Sequence, residues 1–268
     1  MQSPVCPKDG RVRHLVHHLA QSARWCNRTL LNLLLPPCCV NCQAELAADH
    51  EEPLFCVACR EMLAPSAWPH CPRCGGRVPD GATSSDCPSC GRYRLEFDAV
   101  VPLGIYDREL RRVVLKMKRA TGETLAIHMG RLLGCCRRDE LTALHVDCVV
   151  PIAMFWTRKL KHGINSAELL AECLAQTLRL PSHKRALVRR RNTIRQMELP
   201  PRKRFQNVRD AFALRAGYDL RGSRVLLVDD VLTTGATCSA AAKTLKQAGA
   251  AWVGAAILAR AEGHVHQA

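Results

Sequence analysis

Aromatic side chains and long apolar runs are what this sequence has least of. Phe, Trp and Tyr make up 4% of its 268 residues, so the core must be mainly aliphatic and few rings are offered to nucleic-acid bases for stacking. No apolar stretch approaches the roughly 18 residues of a membrane-spanning helix, which predicts that the chain has no membrane span. The first residues show no continuous apolar segment before a small-residue cleavage site, so a secretory signal is not expected.

Acidic residues are also few relative to basic ones. The chain carries 39 Lys and Arg against 24 Asp and Glu, which gives a formal charge of +15 and a pI near 9.4. This excess of positive charge favours polyanionic partners, either nucleic acid or a pyrophosphorylated small molecule. Net charge alone does not distinguish between the two.

Cysteine, in contrast, is abundant. The chain has 16 cysteines, and eight of them form four pairs with C-x-x-C spacing. Without a secretory signal, this spacing indicates metal binding rather than disulfides, and therefore a reducing compartment, the cytoplasm. Proline and glycine in the segments 71–75 and 87–91 are typical of zinc knuckles, in which a bent backbone directs two sulfurs at one ion.

Two zinc ions, each held by four thiolates, are therefore predicted. Proximity along the chain groups the ligands as Cys39, Cys42, Cys56 and Cys59 for one ion, and Cys71, Cys74, Cys87 and Cys90 for the other. An interleaved grouping is the alternative, and Cys38 competes with Cys39 although only Cys39 has the two-residue spacing to Cys42. Because four thiolates leave no open coordination position, both ions are interpreted as structural.

The chain divides into three predicted segments. Residues 1–37 contain an amphipathic helix that ends at two prolines, and residues 38–92 form the double zinc ribbon. Residues 98–262 alternate apolar strands with helices, except for the basic stretch 183–209, which is expected to be irregular. This alternation predicts an α/β fold, a doubly wound and mostly parallel sheet that binds its ligand at the carboxyl ends of the strands.

The most informative segment lies between residues 224 and 237. An apolar strand, expected to end at Val228, leads into Asp229 and Asp230 and then into a turn before an alanine-rich helix. The N-terminus of that helix is suited to bind a phosphate, together with the turn residues Thr233, Thr234, Gly235, Ala236 and Thr237. The two carboxylates would lie where a ribose diol, or a metal bound to it, sits beside that phosphate. The segment resembles the 5-phosphoribosyl-1-pyrophosphate (PRPP) loop of type I phosphoribosyltransferases.

Three basic clusters could compensate the charge of a pyrophosphate. One contains Lys118, and a second, after the strand that ends near Ile152, contains Arg158 and Lys161. The third, residues 184–209, carries ten Lys or Arg against a single acid, Glu198. Such a loop is typical of solvated surface or of a nucleic-acid patch, but above a phosphate site it is predicted to be a mobile lid whose cations face pyrophosphate.

Taken in order, these features resemble the ComF (competence protein F-like) family, a double zinc ribbon fused to a type I phosphoribosyltransferase domain. The resemblance covers residues 30–260, and its further markers are Lys118 with Gly122-Glu123, Val150-Pro151, Thr193, Gln196, Arg204 and Asn207. The family pattern Arg-Gly-Phe-Asn-Gln is replaced here by His162-Gly163-Ile164-Asn165-Ser166. Since that pattern's guanidinium and amide are missing, the pyrophosphate contacts are expected either to be weaker at this position or to move to Arg158 and Lys161.

The resemblance implies a PRPP-binding protein that uses Mg²⁺, has Asp229 and Asp230 as catalytic residues, and acts with the DNA-uptake machinery. Two hypotheses stay open. The first is an enzyme that transfers a phosphoribosyl group to a nitrogen nucleophile and releases pyrophosphate. The second is a non-catalytic adaptor that uses its zinc ribbons and basic face to bind single-stranded DNA. Neither the acceptor nor the oligomeric state is predicted.

Overall fold

A computed structural model describes residues 36–47, 53–65, 69–79, 87, 90, 94–119, 121–163, 165–194 and 196–261. The helix predicted before Pro36 lies outside these residues. Contacts divide the chain into two units, Met1–Cys56 and Val57–Ala268. No helix in the described part of the chain is both long and apolar enough to cross a membrane.

The described residues of the first unit form a tight turn around Cys39. The Cys39 amide donates to the Ala44 carbonyl at 2.8 Å, and the Gln43 amide donates back to the Cys39 carbonyl at 2.9 Å. Gln43 has a φ of 66°, the left-handed backbone that such a reversal requires. Val40 donates to the Leu54 carbonyl at 3.0 Å, which joins this turn to the next stretch of chain.

The second unit consists of strands alternating with helices. Its strands are β1 (Ala99–Ile105), β2 (Cys148–Pro151), β3 (Leu187–Arg189), β4 (Phe212–Leu214), β5 (Arg224–Leu232) and β6 (Trp252–Arg260). Its described helices are α1 (Val57–Leu63), α2 (Arg108–Met117), α3 (Glu123–Cys136), α4 (Arg138–Ala143), α5 (Trp156–His162), α6 (Ser166–Leu178), α7 (Pro201–Asn207) and α8 (Ala236–Gln247), with a 3₁₀ turn at Gln196–Glu198.

Four of these strands form one parallel sheet in the order β1-β6-β5-β2, and β3 pairs with β4 in a separate antiparallel hairpin. The central strands β5 and β6 are apolar and almost entirely buried, as expected for strands covered by helices. Helices α3, α6 and α8 pack on the sheet. The predicted α/β fold with a parallel sheet is confirmed, and all four strands end at the same edge, where a ligand of such a fold binds.

Two stretches differ from the sequence-based expectation. Residues 183–209 are not irregular throughout, because they contain β3 and the helix α7, whose first residue is Pro201, a position where the missing amide costs nothing. Strand β5 does not end at Val228 but continues to Leu232, since β6 is equally long and pairs with it up to Arg260. The acidic pair therefore lies inside the strand rather than after it.

Candidate functional site

The loop between β5 and α8 has the geometry of a phosphate site. We call residues 233–237 the phosphate loop. Gly235 occupies the N-cap position of α8 with a φ of 81° and has no side chain to cap the helix. The first amides of α8 therefore face the loop, at the positive end of the helix dipole. The Ala236 amide donates to Thr234 Oγ1 at 3.4 Å, and Nε2 of Gln196, within the basic segment 184–209, donates to Thr237 Oγ1 at 3.4 Å.

Only glycine fits at position 235. Its left-handed backbone is strained for other residues, and a Cβ there would lie 2.9 Å from Leu95 Cδ2 and 3.3 Å from the Phe97 ring. The loop is thus pressed against the segment that precedes β1. This contact fixes the backbone of the phosphate loop against the side chains of Leu95 and Phe97, which we call the wall of the loop.

The acidic pair lies beside this loop and is already compensated by a cation. The Asp230 amide donates to Asp229 Oδ1 at 2.9 Å, and Asp230 Oδ2 lies 2.7 Å from Lys118 Nζ and 3.4 Å from Ser166 Oγ. Removal from water, and then the neighbouring carboxylate of Asp230, raise the pKa of Asp229 to about 7. Lys118 directly follows α2, so the structure brings this predicted residue from a distant part of the sequence to the acidic pair.

A further cation, which the sequence did not single out, belongs to the same region. Arg189 ends β3, its guanidinium lies 5.3 Å from the centroid of the Phe212 ring, and it donates to the Thr193 hydroxyl. Its Nε is buried and has no hydrogen-bond partner in the described structure. Removal from water and the nearby Arg158 lower the pKa of Arg189 to about 10, although Asp229 opposes this effect. An anion bound here would accept a hydrogen bond from the buried Nε of Arg189 and would offset the charges of Arg189 and Arg158. In the sequence, the run of basic residues around Arg189 hides it.

The two basic residues predicted after β2 lie on α5. Arg158 donates to the Thr193 carbonyl, the residue that Arg189 also contacts. The backbone of Lys161 lies in the same helix, but its side chain is outside what the structure describes. Asn165 is buried and donates to the Ile152 carbonyl at 3.2 Å, which fixes the start of α6 against the end of β2.

The cysteines form two clusters. Cys39, Cys42, Cys56 and Cys59 place their sulfurs within 4.8 Å of one another, and so do Cys71, Cys74, Cys87 and Cys90, which we call the second cluster. The sulfurs of Cys42 and Cys56 are 3.7 Å apart, and those of Cys71 and Cys90 are 3.5 Å apart. Four thiolates around one zinc stand about 3.8 Å apart for a Zn–S bond of about 2.3 Å, so both clusters fit a tetrahedral zinc.

The grouping is the sequential one rather than the interleaved alternative. Cys38 belongs to neither cluster, and its thiol lies 3.4 Å from the Pro36 carbonyl. Because all four positions of each cluster are thiolates, the clusters offer a metal no open position for chemistry.

Comparison with known proteins finds matches both for the cysteine-rich part of the chain and for the α/β part. Residues 30–93 match the model of the double zinc ribbon domain, and residues 167–265 match that of the phosphoribosyl transferase domain. The chain is 27% identical over 215 residues to competence protein F of Haemophilus influenzae, which covers 79% of this chain and 91% of that protein. It is 29% identical over 225 residues to DNA utilization protein YhgH of Salmonella typhi, which covers 82% of this chain and 96% of that protein.

A shorter stretch, 42 residues or 16% of this chain, is 50% identical to adenine phosphoribosyltransferase of Mycobacterium avium and covers 23% of that enzyme. The two matched domains, and similarity along almost the full length of competence protein F and YhgH, show that the chain is a homologue of these proteins in which a double zinc ribbon domain precedes a phosphoribosyltransferase domain.

Proposed function

We propose that the protein binds PRPP with Mg²⁺ at the carboxyl end of β5 and transfers its phosphoribosyl group to a nitrogen nucleophile, releasing pyrophosphate. One observation carries the proposal. A phosphate loop at a helix N-terminus adjoins a carboxylate pair whose negative charge is balanced by Lys118 at 2.7 Å. A purely structural role rarely explains why anion-binding amides and two carboxylates lie side by side. A phosphorylated sugar requires both, the amides for its phosphate and the carboxylates for its hydroxyls.

The phosphate loop would hold the 5-phosphate. The first amides of α8 and the hydroxyls of Thr233, Thr234 and Thr237 can donate to its oxygens, while Gly235 lets the backbone approach closely. The wall formed by Leu95 and Phe97 keeps this backbone in place. Holding the phosphate fixes the position of the ribose before reaction, which is the main contribution a protein can make to this step.

Asp229 and Asp230 would accept hydrogen bonds from the two ribose hydroxyls. Carboxylate oxygens also suit Mg²⁺, which would supply positive charge to the diol and to the pyrophosphate oxygens. Until a ligand arrives, Lys118 and Ser166 contact Asp230. Ligand binding must therefore displace Lys118 or recruit it to the pyrophosphate.

Arg189 and Arg158 would stabilise the leaving group. As the bond from the ribose anomeric carbon to pyrophosphate breaks, its electron pair stays on the pyrophosphate oxygen, and the nitrogen nucleophile forms the new bond and loses a proton to water. Fixed cations where this negative charge develops lower the barrier. The buried Nε of Arg189 is a donor available to such an oxygen.

Titration calorimetry with PRPP and Mg²⁺ tests the binding step, and release of pyrophosphate in the presence of candidate amines and bases tests transfer. We expect a Kd below about 1 mM for the wild type and at least ~10-fold weaker binding for Asp230→Asn. Asp219→Asn is the matched control, because Asp219 is an exposed carboxylate that pairs with Arg221 before β5 begins. Absence of wild-type binding at millimolar PRPP, or an equal loss in the control, would contradict the proposal.

A second candidate is a non-catalytic adaptor that binds single-stranded DNA in the cytoplasm and works with the DNA-uptake machinery. The net charge of +15 and the names of the relatives, competence protein F and DNA utilization protein, favour it. Binding of a single-stranded oligonucleotide over a salt series tests this function, since phosphate contacts give a steep loss of affinity with salt. Strong salt-dependent binding without binding of PRPP would favour the adaptor.

A further inference from the structure

We propose that the second cluster controls the phosphate loop through Arg73 and Arg260, so that loss of metal from this cluster loosens the loop. The inference deepens the proposed function, because it assigns two positioning residues to the same site. Neither arginine is proposed to contact PRPP itself. Both act by bonding backbone carbonyls that shape the loop.

Arg260 makes the first connection. It ends β6 and is buried, with Nε donating to the Cys74 carbonyl at 2.9 Å. Its Nη1 donates to the Leu232 carbonyl at 3.1 Å and to the carbonyl of Thr233, the first residue of the phosphate loop. One rigid guanidinium therefore joins the backbone of a zinc knuckle to the beginning of the loop.

Arg73 makes the second connection. It lies between the ligands Cys71 and Cys74, and its guanidinium donates to the carbonyls of Leu95, at 2.7 Å, and Phe97. The side chains of Leu95 and Phe97 are the atoms that face Gly235. Arg73 thus holds the wall against which the loop is pressed.

A backbone hydrogen bond also attaches the knuckle to the sheet, and the segment before β1, which carries Leu95 and Phe97, is bonded to α8. The Val100 amide of β1 donates to the Pro72 carbonyl at 2.8 Å, and the Glu96 amide donates to Ser239 Oγ, in the first turn of α8, at 3.1 Å. The Pro72 carbonyl lies within the turn that the Cys71 carbonyl closes by accepting the Gly75 amide at 2.7 Å. The position of Arg73 is therefore set by the shape of the knuckle.

Few apolar groups would maintain that shape without a metal. Among the residues that the structure describes, those buried around the second cluster are three of its own cysteines and Val78, with Cys90 and Leu95 partly buried against them. A segment with so small a core depends on its metal for folding. We therefore expect that removing the metal releases Arg73 and the Cys74 carbonyl together, and that the phosphate loop loses two supports at once.

Hydrogen exchange of the amides in residues 232–240 of the full chain measures this effect without any ligand. Cys87→Ser disables the second cluster, and Cys42→Ser disables the other one as the control. We expect exchange to rise at least ~10-fold in Cys87→Ser and less than ~3-fold in Cys42→Ser. An equal rise in both variants, or no rise in either, would overturn the coupling.

Arg260→Met tests the connection itself in a protein whose cysteines are intact. Arg137→Met is the matched control, because Arg137 is also buried and donates to backbone carbonyls, those of Pro65, Pro102 and Leu103. We expect faster exchange of the loop only in Arg260→Met, with zinc content unchanged in both. Similar exchange in both variants would show that the effect is general destabilisation and would refute the role of Arg260.

Titration with PRPP and Mg²⁺ separates this inference from the proposed function. If both are right, Arg260→Met binds at least ~10-fold more weakly than Arg137→Met. If the wild type does not bind PRPP, the proposed function fails, whereas the exchange result still decides whether the second cluster shapes the loop. Binding that is identical in the two variants would overturn the functional part of the coupling.

Discussion

Replacing Asp229 with Asn should make the protein more stable and, at the same time, weaken its binding of PRPP and Mg²⁺. Asp229 is removed from water and lies beside a second carboxylate, so its pKa rises from 3.8 to about 7. The neutral form is therefore favoured by the fold. Stability due to this group is complete at pH values below the unfolded-state pKa, and it is lost as the pH rises through about 7.

The magnitude follows from that rise in pKa. Each pKa unit corresponds to about 1.4 kcal/mol, so ionised Asp229 costs at most ~4 kcal/mol at pH 8. Asn carries no charge, and its Oδ1 can still accept the Asp230 amide that Asp229 accepts at 2.9 Å. Allowing for relaxation around the new side chain, we expect Asp229→Asn to gain about 1–3 kcal/mol at pH 8, which raises Tm by about 2–4 °C for each kcal/mol.

Denaturant unfolding at pH 8 and pH 5, with calorimetric titration of PRPP and Mg²⁺ at pH 8, measures both effects. The gain in stability at pH 5 should be about 40% of its value at pH 8, because at pH 5 Asp229 is protonated in the folded wild type but already ionised in the unfolded state. Affinity at pH 8 should fall at least ~10-fold. Asp230→Asn is the matched variant. Asp230→Asn should bind PRPP as weakly as Asp229→Asn does but gain less stability. The substitution removes the repulsion between the two carboxylates, but it also removes the ion pair between Asp230 and Lys118.

Three outcomes would contradict this reasoning. A loss of stability in Asp229→Asn at pH 8 would show that the ionised carboxylate has a stabilising partner. A gain of the same size at pH 5 would assign the effect to packing rather than to charge. Unchanged affinity in both Asn variants would remove the acidic pair from the ligand site.

Three further predictions concern the metal, the loop and the basic segment. Elemental analysis of protein purified under reducing conditions should find two zinc ions per chain, one for each cysteine cluster, and less than one would contradict the zinc assignment. Gly235→Ala should weaken PRPP binding at least ~10-fold by calorimetry. Gly217→Ala is its control, because Gly217 also has a positive φ, 90°, but nothing lies within 4 Å of the added Cβ, so affinity should not change. Trypsin should cut first within residues 184–209, and saturating PRPP with Mg²⁺ should slow that cut; an unchanged rate would mean that the segment is not a lid.

The sheet was predictable because its signals are local. Each central strand is a short apolar run, and each helix after it has its own periodicity and end signal, so alternation alone indicated a parallel α/β fold. The cysteine clusters were predictable for the same reason. Knuckle spacing brings two sulfurs together, and the short distance between successive knuckles then favoured the sequential grouping that the structure has.

The acidic pair shows where local signals end. Asp229 and Asp230 look polar enough to end a strand, yet residues 229–232 continue β5 because β6 offers pairing as far as Arg260. Pairing between strands is a long-range property, so the run of residues around Asp229 does not reveal it. The consequence is chemical, since a carboxylate within a paired strand is shielded from water, and this shielding is the largest cause of its raised pKa.

Arginine is the residue whose role the sequence conceals most. Arg73, Arg189 and Arg260 stand in a chain with 39 basic residues, where each looks like one more solvated cation. In the structure, the guanidinium groups of Arg73 and Arg260 donate hydrogen bonds to backbone carbonyls. The buried Nε of Arg189, in contrast, has no hydrogen-bond partner among the described residues. The first pattern is typical of residues that shape a site, and the second is what the proposed role of Arg189 as a donor to a bound anion requires. Because the partners are carbonyls, which every residue has, no side-chain pattern in the sequence could have marked them. The same bonds explain why the second cluster, although it belongs to the matched zinc ribbon, packs within the unit that contains the sheet.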